Sequence, residues 1–283
     1  MKSPFKSYLN RGFLLACLPL LACSNLVEPD RVQCTSDSDC AQRGGAFANS
    51  LCQENLCKPN PAWACLATKR VPAGPGPFAV TVPGTADVMT QQPTAGATIT
   101  VCRKLDPLCS NPVDSQTIES SQGVTFSLEN GFNGYLQANV SGYLPSLYFF
   151  NPPVDHDQTI PPIAVASQGE YGMLMSVLGV APDTTRGTAV LLAYDCTGKT
   201  ATGVSYSSPY GDDLSKSFYY SNGLPSTSAT ATDSFGYGGM ANLPPGAVSV
   251  SARLASPKAD LPTVSLIVRP LTLSFAQVVP YAD

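Results

Sequence analysis

The stretch DSFGYGGMANLPPGAVSVSARL, residues 233–254, decides how this chain is read. It reads as a short strand over 238–242, passes through Leu243, Pro244, Pro245 and Gly246, and then alternates, with Val248, Val250, Ala252 and Leu254 set against Ser249, Ser251 and Arg253. Successive side chains of a strand point to opposite faces, so the alternation predicts a strand with one face on a core and one in water. The stretch carries no residue suited to acid–base or nucleophilic chemistry, which marks it as scaffold.

Composition extends that reading. Only 13% of the 283 residues are charged, whereas Gly (23) and Pro (26) are plentiful, a balance that favours many short strands and turns. No basic run occurs. Without the basic residues of the leader described next, 13 basic residues face 20 acidic ones, a formal charge of −7, and such a surface repels phosphates. Nucleic acid is therefore not an expected partner.

Lys2, Lys6 and Arg11 precede an apolar run, 12–21, that is too short to span a bilayer. It ends in Leu20, Leu21, Ala22 and Cys23, which resembles the bacterial lipobox. The resemblance implies a signal peptide over 1–22, lipid on Cys23 and a tether over 23–33 that holds a soluble body to a membrane surface. Ser24 after the cysteine implies the outer membrane. An ordinary secretory leader with an incidental cysteine is the other reading. A second match ending at Cys17 has almost no apolar run ahead of it.

Of the ten cysteines, Cys17 and Cys23 fall to the leader and anchor, which leaves eight, an even number in an oxidising compartment. Cys34, Cys40, Cys52 and Cys57 crowd a segment, 34–58, with too few apolar side chains for a core, so cross-links must hold it. Its CTSDSDC opening resembles small cysteine-rich modules of secreted proteins. There the expected pairs are Cys34 with Cys52 and Cys40 with Cys57, one of the three pairings that four cysteines allow. Zinc suits the segment less well, because the C-x2-C pairs of structural sites are missing. Asp37 and Asp39 read as turn residues before calcium ligands. Residues 59–77 form a Pro/Gly-rich linker in which Trp63 and Cys65 dock, with Trp63 as a packing plug. Cys102 and Cys109 flank the loop RKLDPL closely enough to close it, which leaves Cys65 and Cys196 for each other by elimination.

The body reads as all-β. Strands are expected at 78–82, 98–103, 115–118, 123–128, 135–140 and 147–150, and then at 187–195, 201–206, 216–220, 228–233, 238–242, 247–254, 263–268 and 271–279. Between the two sets Ser167 and Glu170 form a capping box, Tyr171, Leu174, Met175 and Leu178 share one helical face, and Gly179 and Pro182 end the helix. Residues 124–140 align without a gap over 236–252, so each half is expected to carry the same hairpin. The second half resembles carboxypeptidase regulatory-like domains of the transthyretin-like β-sandwich class. The resemblance rests on the Asp195 to Gly198 turn, the step Thr202, Gly203, Val204, the turn Thr232, Asp233, Gly236 and the Pro-Pro-Gly link, and it covers 186–280. It implies a small β-sandwich over 186–283; the closely spaced strands and turns of 78–166 read as another, with a helix and connection over 167–185 between them.

Chemistry-bearing residues are few. His156, the sole histidine, lies between Asp155 and Asp157 on a Pro-rich loop where neighbouring side chains diverge, so it is expected to be solvated. No catalytic residue, cofactor or metal ligand is assigned. Three consecutive aromatics in a strand, Tyr148, Phe149 and Phe150 or Phe218, Tyr219 and Tyr220, are expected to leave at least one ring outward. Tyr219, Tyr220, Asp212 and Asp213 are thus candidate ligand-binding residues. The sum is a non-enzymatic, lipid-anchored protein of the bacterial outer membrane with structural, adhesive or protein-interaction roles. A carbohydrate- or peptidoglycan-binding module is the alternative, and a cell-surface protein or a polysaccharide is the expected partner. A hydrolase using His156 or an acidic pair stands behind both.

Overall fold

The computed structural model describes residues 32–44, 47, 50–66, 68–71, 73–119, 123–256 and 258–281. The leader and the anchor residue Cys23 lie outside the described residues. No described helix is long and apolar enough to cross a membrane.

The cysteine-rich module holds a short helix α1 (Asp37–Gln42) and a hairpin of β1 (Ser50–Gln53) and β2 (Leu56–Pro59). Disulfides Cys34–Cys52 and Cys40–Cys57 tie helix to hairpin. The two aspartates of CTSDSDC are spent on backbone donors. Asp37 accepts from the Cys52 N–H at 2.7 Å, and Asp39 accepts from the Thr35 and Ser36 N–H groups at 2.7 and 2.9 Å. Those bonds hold the Asp39 carboxyl down to about 2. All four sulfurs are bridged, and each aspartate commits one carboxylate oxygen to these bonds.

The body follows as β3 (Phe78–Val82), β4 (Thr85–Asp87), β5 (Pro93–Thr94), β6 (Ala97–Arg103), β7 (Asp114–Ile118), β8 (Val124–Leu128), β9 (Gly134–Asn139), β10 (Ser146–Phe149), β11 (Gln158–Thr159) and β12 (Ile163–Val165). Helix α2 (Gln168–Val177) comes next. Then come β13 (Gly187–Ala193), β14 (Val204–Ser207), β15 (Lys216–Ser221), β16 (Leu224–Ser226), β17 (Tyr237–Leu243), β18 (Gly246–Leu254), β19 (Ala259–Val268) and β20 (Leu273–Val278).

One nine-stranded sheet, in the order β16-β15-β17-β13-β20-β10-β9-β6-β7, runs through both halves. The seam is β20, which pairs in parallel with β10 on one side and β13 on the other. Each half adds a facing sheet, β11-β3-β8 in the first and β14-β18-β19 in the second. The two facing sheets cover opposite faces of the shared one. On β10, Leu147 and Phe149 join the core under β14-β18-β19, while Tyr148, and Phe150 just after the strand, join the core under β11-β3-β8. Along β6 the same split puts Cys102 in the first of these cores and Ile99 and Val101 in the second. The result is two sandwiches built back to back on a common sheet.

The face that each sandwich leaves open is closed by other means. Behind the second half lies α2, whose Tyr171, Met175 and Leu178 pack on Val190, Phe218, Ala241 and Leu273. Its capping box is formed, since Ser167 Oγ accepts from the Glu170 N–H and the Glu170 carboxylate accepts from the Ser167 N–H. At its end Gly179 takes φ +65, and the Val180 and Gly179 N–H groups reach the Met175 and Ser176 carbonyls, a Schellman ending. On the first half, the loop closed by Cys102–Cys109 folds over Tyr135. Tyr135 donates its hydroxyl to the Asp106 carbonyl at 2.6 Å, and the Arg269 guanidinium lies 5.4 Å from the ring centre.

Several expectations need correction. The two aligned segments are not hairpins. β17 and β18 do not pair; Pro244 and Pro245 carry the chain from the shared sheet to the facing one, and β8 and β9 likewise lie in different sheets. In the second half the proline pair lacks N–H donors and is too stiff for a two-residue turn, whereas the first half makes the same crossing over residues 129–133 without a proline. The crossing also runs in reverse order in the two halves, facing sheet to shared sheet in the first and shared to facing in the second. No strand forms over 228–233, where small side chains offer little to bury. Instead Thr232 is buried, donating to the Ala201 carbonyl at 2.7 Å and accepting from the Val204 N–H at 3.0 Å. Those bonds join the turn Thr232, Asp233, Gly236 to the Thr202, Gly203, Val204 step, so two of the motifs read in sequence hold each other. Strands β4, β5, β11, β12 and β16 went unread, being only two or three residues long.

Candidate functional site

The three parallel strands at the seam end side by side, so the loops that follow them converge. Phe150, Asn151 and Pro152 follow β10; Tyr194, Asp195 and Cys196 follow β13; and Gln277 near the end of β20 is followed by Val279 and Tyr281. Together with Tyr148, Asp155, His156 and Arg70 they line a cleft of about 280 Å³.

Arg70 reaches this cleft because the linker is pinned. Cys65 is bridged to Cys196 across 131 residues of chain, Trp63 is buried in the core of the second sandwich, and the Cys196 N–H donates to the Ala62 carbonyl. From there the guanidinium meets Asp155 at 2.9 Å and stacks 5.5 Å from the centre of the Tyr281 ring. The Asp155 side chain is only 13% exposed, which shields the pair from water.

His156 corrects the expectation of divergent neighbours: its Nδ1 contacts an Asp155 carboxylate oxygen. Arg70 holds Asp155 from across the cleft and so turns it toward the ring. Arg70 Nη2 is also 3.2 Å from Nδ1, but a guanidinium only donates. The shorter carboxylate contact therefore assigns the proton to Nδ1, leaving Nε2 as the free ring nitrogen. Asp157 is occupied elsewhere, accepting from the Ala79 N–H at 2.8 Å. Tyr148 and Tyr194 are held neutral by burial, which pushes both hydroxyls up, and the Gln277 side chain donates to Tyr148 Oη at 2.7 Å. Hydroxyls, amides and one ion pair thus surround the space. Serine and threonine are not among its lining residues, and Cys196 is in a disulfide, so no side-chain hydroxyl or thiol of the Ser, Thr or Cys kind stands beside the Asp155–His156 pair among the described residues.

The four residues singled out in sequence lie elsewhere, and most are committed to the fold. Tyr219 is buried, stacked on Tyr206 with centroids 5.7 Å apart, and accepts the Tyr206 N–H at 2.7 Å. Tyr220 is half-buried beside Tyr237 on the helix side of the sheet. Neither ring is a free platform, because Tyr219 lies in the core under β14-β18-β19 and Tyr220 packs on the helix side. Asp212 forms a two-point ion pair with Arg186 at 3.0 and 2.7 Å, which with Ser215 and the Leu214 N–H takes its carboxyl down to about 2. Asp213 is exposed. What sequence reasoning missed were Arg70, Tyr194, Gln277 and Tyr281, spread over more than 200 residues. The one signal pointing there was the uniqueness of His156.

No protein-family profile matches the chain, and no curated protein matches it. Among solved structures, the shaft pilin SpaA from Lactobacillus rhamnosus GG, as its D295N mutant, is similar over 73% of this chain and 99% of that one, with 9% identity and a TM-score of 0.22. A Streptococcal ancillary pilin is similar over 71% of this chain and 62% of its own, with 9% identity and a TM-score of 0.24. The D0-D1 domain of Intimin follows at 13% identity over 66% of this chain and 96% of its own, with a TM-score of 0.19. At scores this low the superposition matches strands in general, and the roles of those proteins remain theirs.

Proposed function

We propose that this is a lipid-anchored cell-envelope protein, attached through Cys23, whose double sandwich serves a structural, adhesive or protein-interaction role without catalysis. The observation that carries the reading is the uninterrupted nine-stranded sheet. A body in which both sandwiches share strands, and whose linker is stapled to it by Cys65–Cys196, cannot hinge at its middle. Such a body suits holding and presenting. The carboxypeptidase regulatory-like reading of 186–280 is supported by the mutually bonded turns at Thr232 and Val204. The test is fractionation of cells carrying the full chain. Cys23→Ser is expected to move the protein from the membrane to the soluble fraction, and retention of that variant in the membrane would overturn the anchor.

A second reading, a saccharide-binding module, draws on the cleft, where Tyr148, Tyr194 and Tyr281 sit among Asn151, Gln277, Arg70 and Asp155. Aromatic faces beside amides and charges are the groups that hold polyhydroxylated ligands. A glycan array with the wild-type chain and the Tyr194→Ala variant decides it. Equal signals from both proteins would remove this reading.

A further inference from the structure

The loop closed by Cys102–Cys109 carries the two most exposed leucines of its half, Leu105 at 95% and Leu108 at 72%. Nothing in the fold needs them there, and the loop is held by everything except its leucines. The disulfide closes its base, the Asp106 carboxylate accepts from the Ser110 and Asn111 N–H groups at 2.9 and 2.7 Å, and Tyr135 bonds the Asp106 carbonyl. Arg269 reaches the Pro107 carbonyl at 2.6 Å. The tip is therefore preorganised, and seating it on a partner costs little further ordering.

We propose that this loop is a membrane-docking tip that inserts Leu105 and Leu108 between the lipids of an anionic surface. Two features select lipid over a protein pocket. The tip's apolar groups are leucines without an aromatic ring among them, whereas protein hot spots are built on Trp, Tyr and Arg. Charge complementarity is local: the chain as a whole is acidic, but Arg103 and Lys104 directly precede the tip, while Asp106, its one carboxylate, is turned onto backbone N–H groups. The contact is separate from lipid on Cys23, and a reporter in the loop reads it whether or not that anchor is attached.

The test uses the full chain with Leu105→Trp, and in parallel Leu108→Trp, mixed with phosphatidylglycerol vesicles whose acyl chains are brominated. The unsubstituted protein, whose only tryptophan is the buried Trp63, is the baseline. Insertion predicts a blue shift of the tip tryptophan and quenching by the brominated chains. Replacing Arg103 and Lys104 by Gln is expected to lower the inserted-to-free ratio on the order of tenfold or more. Emission unchanged from buffer overturns the proposal. So does equal quenching in phosphatidylcholine vesicles, which would show that charge selects nothing. Protection from iodide without quenching by bromine would assign the tip to a protein contact instead and overturn the lipid assignment.

Discussion

Tyr148 and Phe149 are adjacent in β10 yet belong to different hydrophobic cores, Tyr148 to the one under the first facing sheet and Phe149 to the one under the second. The strand has no outer face, since both of its sides are inside the protein. Three consecutive aromatics here mark a strand sealed on both sides where an exposed ring had been expected. The two cores are thereby coupled through single residues of a strand only four residues long.

Coupling of this kind predicts cooperative unfolding. Urea denaturation of the oxidised body, followed by Trp63 fluorescence and by circular dichroism, is expected to give coincident transitions. Phe149→Ala, which empties a site 2% exposed, is expected to lower stability by about 3–5 kcal/mol and to shift both probes together. Separate transitions for the two probes would mean that the sandwiches unfold independently.

The Cys65–Cys196 bridge closes a long loop, so its main effect is expected on the unfolded chain. Replacing both cysteines by serine is expected to cost about 2–5 kcal/mol. The same change should release Trp63 and Arg70 from the body. A red shift of Trp63 emission in the folded variant is the readout, and an unshifted spectrum would show that Trp63 packing holds the linker without the bridge.

Thr232→Val leaves the Ala201 carbonyl and the Val204 N–H without the hydroxyl that now serves both. The expected loss is about 1–3 kcal/mol, read from the urea midpoint at unchanged slope.

Acid sensitivity is expected in the cysteine-rich module. The folded-state pKa of Asp39 is about 2, depressed from an ordinary 3.8 by hydrogen bonds from Thr35 and Ser36. A depressed carboxylate contributes stability that is full above its unfolded value and is lost as pH falls through the folded one. Protection of the Thr35 and Ser36 N–H groups, taken relative to the intrinsic exchange rate at each pH, should therefore fall between the ordinary value and about 2, and Asp39→Asn should flatten that dependence. An unchanged profile in the variant would exclude Asp39 as the titrating group.

Much of the architecture was legible because it is local. The alternation of 247–254, the Ser167 and Glu170 capping box, and Gly179 at the helix end each satisfy their requirements within a few residues, and the structure contains β18 and α2 where those patterns lie. An all-β body with a disulfide-rich N-terminal region could likewise be read from composition and cysteine spacing, since a segment without a core must be cross-linked.

Other features depended on distance in the chain. Whether Pro244 and Pro245 join paired strands or cross between sheets depends on which neighbours β17 and β18 find, and those neighbours come from 187–193, 216–221, 204–207 and 259–268. Period-2 alternation says that a strand has a buried face. It is silent on which sheet supplies the cover, and a strand covered on both sides looks like surplus aromatics. The cleft escaped for the same reason: Arg70, His156, Tyr194 and Tyr281 meet only because parallel strands end together at one seam and a disulfide pins the linker above it. By itself the sequence determined the elements of residues 233–254, a strand, a proline link and a half-buried strand. Tertiary structure alone decided that the link spans two layers, because partner choice is settled by side chains far away in the chain.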